Sequence, residues 1–289
     1  MKSQKSMRVL IAGSNSFCGL ALSKFFIKKK IYVFGTYNRK KPKIRSKYFI
    51  SRKIDLRNKL LIRENFDSLI HISSHHKITD FYKAPRKKYN ENILMAKNLI
   101  QFAKKKDISN LIFFSTIDIK QKKTLIKKKH YIKSKIQCEK LYSFSLKEKI
   151  FKKVFFLRLP AILGKNCSNH FLKQAVKKLK EDKPITIWNG KKLYNNFIHI
   201  DDLNNLIHLF AVKKTISKKT IIECKVNNPM SLKNTIFLLK AKLKSKSKIN
   251  ILELNDKNSQ SKEVSKGQAY NFFSAKKALS LFLRDGKKV

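Results

Sequence analysis

The run Arg8-Val-Leu-Ile-Ala12 and the turn Gly13-Ser14-Asn15-Ser16-Phe17-Cys18-Gly19 that follows it constrain this chain more than any other segment. The first five residues are a short, mostly apolar run of the kind found in strands buried on both faces of a parallel sheet. Leu20-Ala-Leu-Ser-Lys-Phe-Phe-Ile27 then reads as a helix. Strand, glycine turn and helix in that order make a cradle for an anion. Gly13 permits the tight turn, and the helix start offers unsatisfied N–H groups and the positive end of its dipole. Gly19, lacking a side chain, lets the helix lie close on the sheet.

The alternation continues along the chain. Strand-like runs at 31–36, 69–73, 111–115 and 154–159 are separated by helical stretches at 60–65, 92–103 and 131–146. Such a pattern predicts βαβ units, an α/β fold with a doubly wound parallel sheet, and ligand binding at the carboxyl ends of the strands. After Gly164 the pattern changes to a helix over 170–181, a strand over 184–188 and a helix over 201–210 begun by acidic residues. Ser231 reads as the cap of a helix over 232–243.

Two further features carry chemistry. Ser115-Thr116 ends one apolar run, and Tyr131-Ile-Lys-Ser-Lys135 opens the next helical stretch. Residues at i and i+4 share a helix face, so the Tyr131 phenol and the Lys135 ammonium can point into one pocket. A free tyrosine titrates near ~10. A neighbouring cation favours the phenolate and lowers that value toward what general acid–base chemistry needs.

In this order, the glycine turn, Ser-Thr and Tyr-x-x-x-Lys resemble the extended short-chain dehydrogenase/reductase family. Its members include NAD(P)-dependent nucleotide-sugar epimerases, dehydratases and 4-keto reductases. The family's Gly-x-x-Gly-x-x-Gly is present with Ser16 in place of the middle glycine. Asp55-Leu56 stands where the family ends a third strand with an acidic residue near the adenine. Residues 67–74 look like the fourth strand, whose terminal Ser73 and Ser74 lie against the cofactor. Arg158-Leu-Pro160 resembles the strand leading to the substrate region, and Asn196-Phe-Ile-His-Ile-Asp-Asp-Leu203 is close to a late family segment. The resemblance spans nearly the whole chain and weakens past about residue 230.

The resemblance implies a Rossmann fold with a smaller substrate lobe. Residues 1–165 with 195–228 would bind the dinucleotide, and 166–194 with 229–289 would form the lobe. It implies hydride transfer between a sugar carbon and nicotinamide. Tyr131 would shuttle the hydroxyl proton, Thr116 rather than Ser115 would hydrogen-bond the same oxygen, and Lys135 would tune Tyr131 and hold the nicotinamide ribose. Gly13, Asn15, Ser16, Phe17 and Gly19 would line the cofactor in the first turn. Asp55, Leu56, Ser73, Ser74 and Pro160 would contact it elsewhere, together with Tyr131 and Lys135. Substrate contacts would come from His75, Thr116 and Asn195, the last standing where the family often has arginine. The end of the second strand, Tyr37-Asn-Arg-Lys40, has no acid. Arg39 can grip a 2′-phosphate bidentately, so NADP is expected over NAD. Asp118 follows Thr116 at the place of the dehydratases' catalytic glutamate, and a turn carboxylate is the preferred reading for it. A homodimer through the Tyr131 helix and its predecessor is the family expectation.

Charge and composition bound the alternatives. There are 68 Lys and Arg against 18 Asp and Glu, a net charge of +50. The lysines are spread along the whole chain and not gathered into one stripe. General drift, with attraction of anionic nucleotide substrates, therefore explains them better than a specific nucleic-acid partner. Cys18, Cys138, Cys167 and Cys224 are far apart, which suggests neither a zinc site nor disulfides and fits a reduced cytoplasmic protein. His71, His75 and His76, like His199 and Asp202, are read as non-metal residues. No apolar run approaches the ~20 residues of a membrane span. The polar stretch 255–266 is expected to be a mobile loop. The substitutions at Ser16 and Asn195 keep one rival open, a catalytically impaired dinucleotide sensor or basic scaffold.

Overall fold

A computed structural model of the chain describes residues 6–76, 78–120, 128–212, 218–253 and 270–286. The expected loop at 255–266 lies outside these residues. The chain divides into two compact units, Met1–Leu159 with Leu203–Glu223, and Pro160–Asp202 with Cys224–Val289.

The first unit opens with β1 (Arg8–Ala12), α1 (Phe17–Lys28), β2 (Tyr32–Tyr37) and β3 (Phe49–Lys53). Then come β4 (Ser68–His71), the short helix α2 (Ile78–Lys83), α3 (Pro85–Lys106) and β5 (Asn110–Thr116). A single 3-10 turn, Ile117–Lys120, leads on toward α4 (Lys129–Lys147) and β6 (Lys153–Leu159). In β1, Val9 to Ala12 are fully buried, which explains why the run carries no alternating polar face. Leu10 lies opposite Phe34 of β2 on one side and Leu69 of β4 on the other. Each neighbouring pair from β1 to β6 is parallel. Ala12, Tyr37, Lys53, His71 and Thr116 therefore all end on one edge of the sheet.

The second unit begins with β7 (Ala161–Leu163), α5 (Phe171–Lys180), β8 (Ile185–Trp188), β9 (Leu193–Tyr194) and β10 (Phe197–His199). Helix α6 (Ile200–Val212) carries the chain back to the first unit and to β11 (Lys219–Glu223). The second unit then resumes with β12 (Met230–Ser231), α7 (Leu232–Leu243), β13 (Ile249–Leu252) and α8 (Ala275–Asp285).

Seven strands form the sheet of the first unit, in the order β11-β6-β5-β4-β1-β2-β3. With helices over its faces, this is the doubly wound Rossmann arrangement the sequence predicts. Leu99, Leu111, Phe113, Tyr142, Phe151 and Phe156 are among the residues of its core. Each such side chain gains roughly 1.5–3 kcal/mol from leaving water.

Three local expectations need correction. Residues 60–65 do not form a helix. Leu60, Ile62 and Phe66 are buried while Leu61 is 80% exposed, so this chain runs along the core and anchors alternate residues. The fourth strand stops at His71 and not at Ser73, because the amides of Ile72 and Ser73 both turn to the Ala12 carbonyl, at 3.0 and 2.9 Å. Asp55 and Leu56 follow the end of β3 instead of closing it.

In the second unit β7 pairs with β10 and β8 with β13, both parallel, while β9 and β12 are antiparallel. Ser231 caps α7, its hydroxyl accepting the Asn234 amide at 3.1 Å. His199 is fully buried at the end of β10, its Nε2 lying 3.2 Å from the Asp285 carboxylate of α8. Asp202 in the first turn of α6 accepts the Phe273 amide at 2.6 Å and the Tyr270 hydroxyl at 3.1 Å. Both residues are thereby committed to anchoring the last segment of the chain.

Candidate active site

The glycine turn is built by close backbone approach. Gly13 has φ +105°, a conformation L side chains avoid, and a Cβ there would lie 2.5 Å from Ser73 Oγ. A Cβ on Gly19 would fall 2.2 Å from the Gly13 carbonyl oxygen, so α1 touches the turn through bare backbone. Ser14, missed in the sequence reading, ties the turn to β2. Its amide and hydroxyl both donate to the Thr36 carbonyl, at 2.9 and 3.0 Å.

Ser16 does not narrow the cradle in the way a Cβ at the middle glycine suggests. Its hydroxyl donates to the Gly13 carbonyl at 2.9 Å and accepts the Gly19 amide at 3.0 Å. The side chain folds back into its own loop as the N-cap of α1. The next two amides, of Phe17 and Cys18, have no intrahelical acceptor by the geometry of a first turn. Asn15 is half-buried in the same loop, and Arg39, just beyond β2, is exposed.

On the far side of the turn an ionic chain runs between the ends of β3 and β4. Arg57 pairs with Asp55, its Nε 2.9 Å from Oδ1, and holds Asp55 below the usual carboxylate range. The same guanidinium reaches Glu91 Oε1 at 3.0 Å. Glu91 also accepts Lys88 at 2.8 Å and lies 2.7 Å from His75 Nε2. Burial pushes the Glu91 carboxyl up, and the hydrogen bonds from Lys88 and Arg57 more than offset it. Leu56 beside Asp55 is buried. Asn92 then fixes the backbone of His75, accepting its amide at 2.8 Å and donating to its carbonyl at 3.2 Å. The Asn92 side chain also donates to Ser134 Oγ at 3.0 Å, and Ser134 donates to the Tyr131 carbonyl at 2.7 Å. The loop carrying Ser73, Ser74 and His75 is thus tied to the helix carrying Tyr131.

Thr116 ends β5, its hydroxyl accepting the Asp118 amide at 3.3 Å, and Tyr131 sits in the first turn of α4. Ser115 is committed elsewhere, donating to Glu139 at 2.6 Å. Lys135 is 3% exposed and donates to the Phe114 carbonyl at 2.7 Å. Its ammonium lies 4.7 Å from the centre of the Phe113 ring and 5.8 Å from that of Tyr131. Burial pulls this lysine down to about 8, against the charges of Cys138 and Glu139.

The electrostatics of Tyr131 reverse the sequence expectation. Burial raises the phenol well above its usual value, the nearby Asp118 charge raises it further, and the Thr116 hydrogen bond only partly opposes them. Desolvation is the largest influence on the phenol, and Lys135 is turned to the strand backbone. Asp118 is itself held by Lys128, Nζ to Oδ2 3.1 Å, and its amide donates to Thr116 Oγ1 at 3.3 Å.

Of the residues singled out in the sequence, those of the first unit therefore gather along one sheet edge. Pro160 and Asn195 belong to the second unit, where the Asn195 carbonyl accepts the Phe197 amide at 2.9 Å. Arg57, Glu91, Asn92, Glu139 and Arg158 were missed. Only the close spacing of Asp55 and Arg57 offered a signal, since the others act through long-range pairing. Among the described residues no cluster of three or more His, Cys, Asp or Glu is placed to hold a metal, and no helix is long and apolar enough to cross a membrane.

A doubly wound sheet, a glycine cradle after β1 and a Tyr-x-x-x-Lys helix beside a strand-end threonine define a Rossmann protein of the extended short-chain dehydrogenase/reductase type. More particularly, the chain belongs to the NAD dependent epimerase/dehydratase family, whose model matches residues 9–224. Solved structures share the fold at low sequence identity. The UDP-glucose 4-epimerase of Thermotoga maritima, solved with UDP-glucose, has a TM-score of 0.77 at 14% identity, covering 98% of this chain and 99% of that one. The UDP-glucuronic acid 4-epimerase of Bacillus cereus, in complex with NAD, has 0.76 at 19% identity with the same coverage. An NAD-dependent NDP-hexosamine 5,6-dehydratase involved in tunicamycin biosynthesis has 0.70 at 13%, again covering 98% and 99%. Among curated proteins none matches.

Proposed function

We propose that this protein transfers hydride between a nicotinamide dinucleotide and a nucleotide-activated sugar, in an epimerisation, dehydration or 4-keto reduction. The observation that carries the reading is the meeting of Thr116, Tyr131 and Lys135 on the sheet edge that also bears the Gly13 turn. The bound dinucleotide supplies the hydride acceptor or donor. The chain's own groups do the rest. The amides of Phe17 and Cys18, with the bare backbone of Gly13, bind the pyrophosphate. Asn15, Ser73, Ser74, Asp55 and Leu56 line the remainder of the dinucleotide, and Arg39 favours NADP by pairing with a 2′-phosphate. Lys135 holds the nicotinamide ribose. Tyr131 is protonated at rest, so it begins as the acid toward a sugar oxygen and serves as base in the reverse direction, while Thr116 holds the same oxygen. His75 completes the first unit's contacts to the sugar. The second unit acts as the substrate lobe, the protein works in the cytoplasm, and two copies pair through α3 and α4.

A second reading is favoured by one observation. The Lys135 ammonium is engaged with the Phe114 carbonyl and leaves the phenol above its usual range, which suits a dinucleotide sensor without turnover. Fluorescence titration with NADPH and NADH, followed by assay of UDP-, GDP-, dTDP- and CDP-sugars, separates the two. Turnover of one sugar that is lost in Tyr131→Phe supports the enzyme. Tight cofactor binding with no turnover of any of them overturns it in favour of the sensor.

A further inference from the structure

Glu139 stands one helical turn beyond Lys135 on α4 and both its carboxylate oxygens are engaged. Oε1 accepts the Ser115 hydroxyl at 2.6 Å and Arg158 Nε at 3.2 Å, and Oε2 accepts a terminal guanidinium nitrogen of Arg158 at 2.8 Å. The pair is enclosed, with side-chain exposures of 11% for Glu139 and 15% for Arg158. A carboxylate four residues after a lysine ordinarily shares its helix face and can pair with it. Lys135 donates instead to the backbone carbonyl of Phe114, and that strand continues directly into Ser115 and Thr116.

We propose that Arg158 and Glu139 are positioning residues for Lys135, Arg158 holding the Glu139 carboxylate on Ser115 and so leaving the lysine ammonium against the Phe114 carbonyl beside Tyr131. The proposal rests on the reading of Thr116, Tyr131 and Lys135 as the reacting groups, and it extends that reading to residues no comparison singles out.

The groups around Lys135 bear this out. Tyr131, Cys138 and Glu139 of α4 and His71 of β4 act on Lys135 or lie beside it, and Arg158 of β6 pairs with Glu139. Asp118, paired with Lys128, acts on Tyr131, and Glu91 of α3 pairs with His75. Burial, and then the Lys135 charge, lowers His71 to about 3, and burial pushes the Cys138 thiol up to about 12. Both are uncharged at neutral pH, as is the buried Tyr142. The charged pair nearest the lysine is therefore Glu139 with Arg158, whose charges offset each other. Arg158 also feels Glu223, which is itself paired with Lys120. In a site this dry, a small imbalance between the two partners acts strongly on the lysine.

The test reads Lys135 directly and needs no substrate. NMR of the full chain carrying 13C at the lysine Cε positions follows each lysine against pH, with Lys135 identified by its loss in Lys135→Arg. Wild type is expected to show Lys135 titrating near pH 8. Glu139→Gln removes the carboxylate charge and moves that midpoint down by about one pH unit, while Arg158→Met strips Glu139 of its partner and moves it up by about as much. The double variant Arg158→Met with Glu139→Gln restores a neutral pair and returns toward wild type. Opposite shifts are the signature, since a loss of packing alone moves both singles the same way. If Arg158→Met fails to fold, Glu139→Gln and the double variant still decide. An unchanged midpoint in the folded variants, or shifts of one sign, overturns the proposal. Absence of turnover with every nucleotide sugar would overturn the functional reading alone.

Discussion

The Ser115 hydroxyl donates to the Glu139 carboxylate at 2.6 Å, joining the strand that ends at Thr116 to the helix that carries Tyr131. Ser115 is spent on that bond, and the Thr116 hydroxyl instead accepts the Asp118 amide at 3.3 Å.

Thr116→Val keeps the volume and the β-branch but removes the hydroxyl. Turnover of the nucleotide sugar should fall by about 10²–10⁴-fold, with the dissociation constant for NADPH unchanged. Thr116→Ser should recover most of it. Steady-state kinetics beside a cofactor fluorescence titration checks both. An equal loss in the two measurements would mean that the threonine serves only the fold.

The buried lysine ties stability to pH. Its folded value of about 8 lies below the ordinary lysine value of 10.5, so between these two pH values the unfolded chain binds more protons than the folded one. Stability therefore rises with pH across that window and the burial cost is fully present below pH 8. The stability of wild type relative to Lys135→Met should climb by up to about 3 kcal/mol from pH 8 to 10.5. Urea denaturation at a series of pH values measures it. A difference that stays flat with pH would show the lysine to be freely solvated.

Gly19→Ala would place a methyl carbon 2.2 Å from the Gly13 carbonyl oxygen and 2.8 Å from Ser14 Cα. Backbone can yield only by lifting α1 from the turn. The expected outcome is a loss of about 1–3 kcal/mol in folding stability, with cofactor binding weakened more than tenfold. Both are read from denaturation and titration of one preparation.

Arg39 is exposed just past β2, so its removal should leave the fold untouched. Arg39→Ala is expected to weaken NADPH binding by about 10–100-fold, the worth of a charge-assisted hydrogen bond or two, and to leave NADH binding within about twofold. Equal effects on the two dinucleotides would remove Arg39 from the 2′-phosphate.

The first unit was legible because its information is local. A buried parallel strand has no polar face, so Val9 to Ala12 announced β1, and the glycines that follow must be glycines for steric reasons visible in the spacing alone. Ser231 and α7 were equally readable, since a cap and its helix are neighbours in sequence. The reading of 60–65 failed because Leu60, Ile62 and Phe66 answer to the sheet beneath them and not to a helix period. The Tyr131 phenol was misjudged for a related reason. The pattern Tyr-x-x-x-Lys gives the direction of two side chains, whereas burial and the turn of Lys135 toward Phe114 depend on residues far away along the chain. Asn92, Glu91 and Arg158 were invisible for the same cause, each defined by what it meets across the fold.

The serine at position 16 has one more consequence. Its backbone, φ −71° and ψ 163°, is open to any L residue, so the chain gives up nothing by not having glycine there. A glycine would roam more widely before folding and would bring no hydroxyl to clasp the turn. Reverting Ser16 toward the family's sequence should therefore loosen this protein, an instance in which the consensus is the poorer choice for the chain that departs from it.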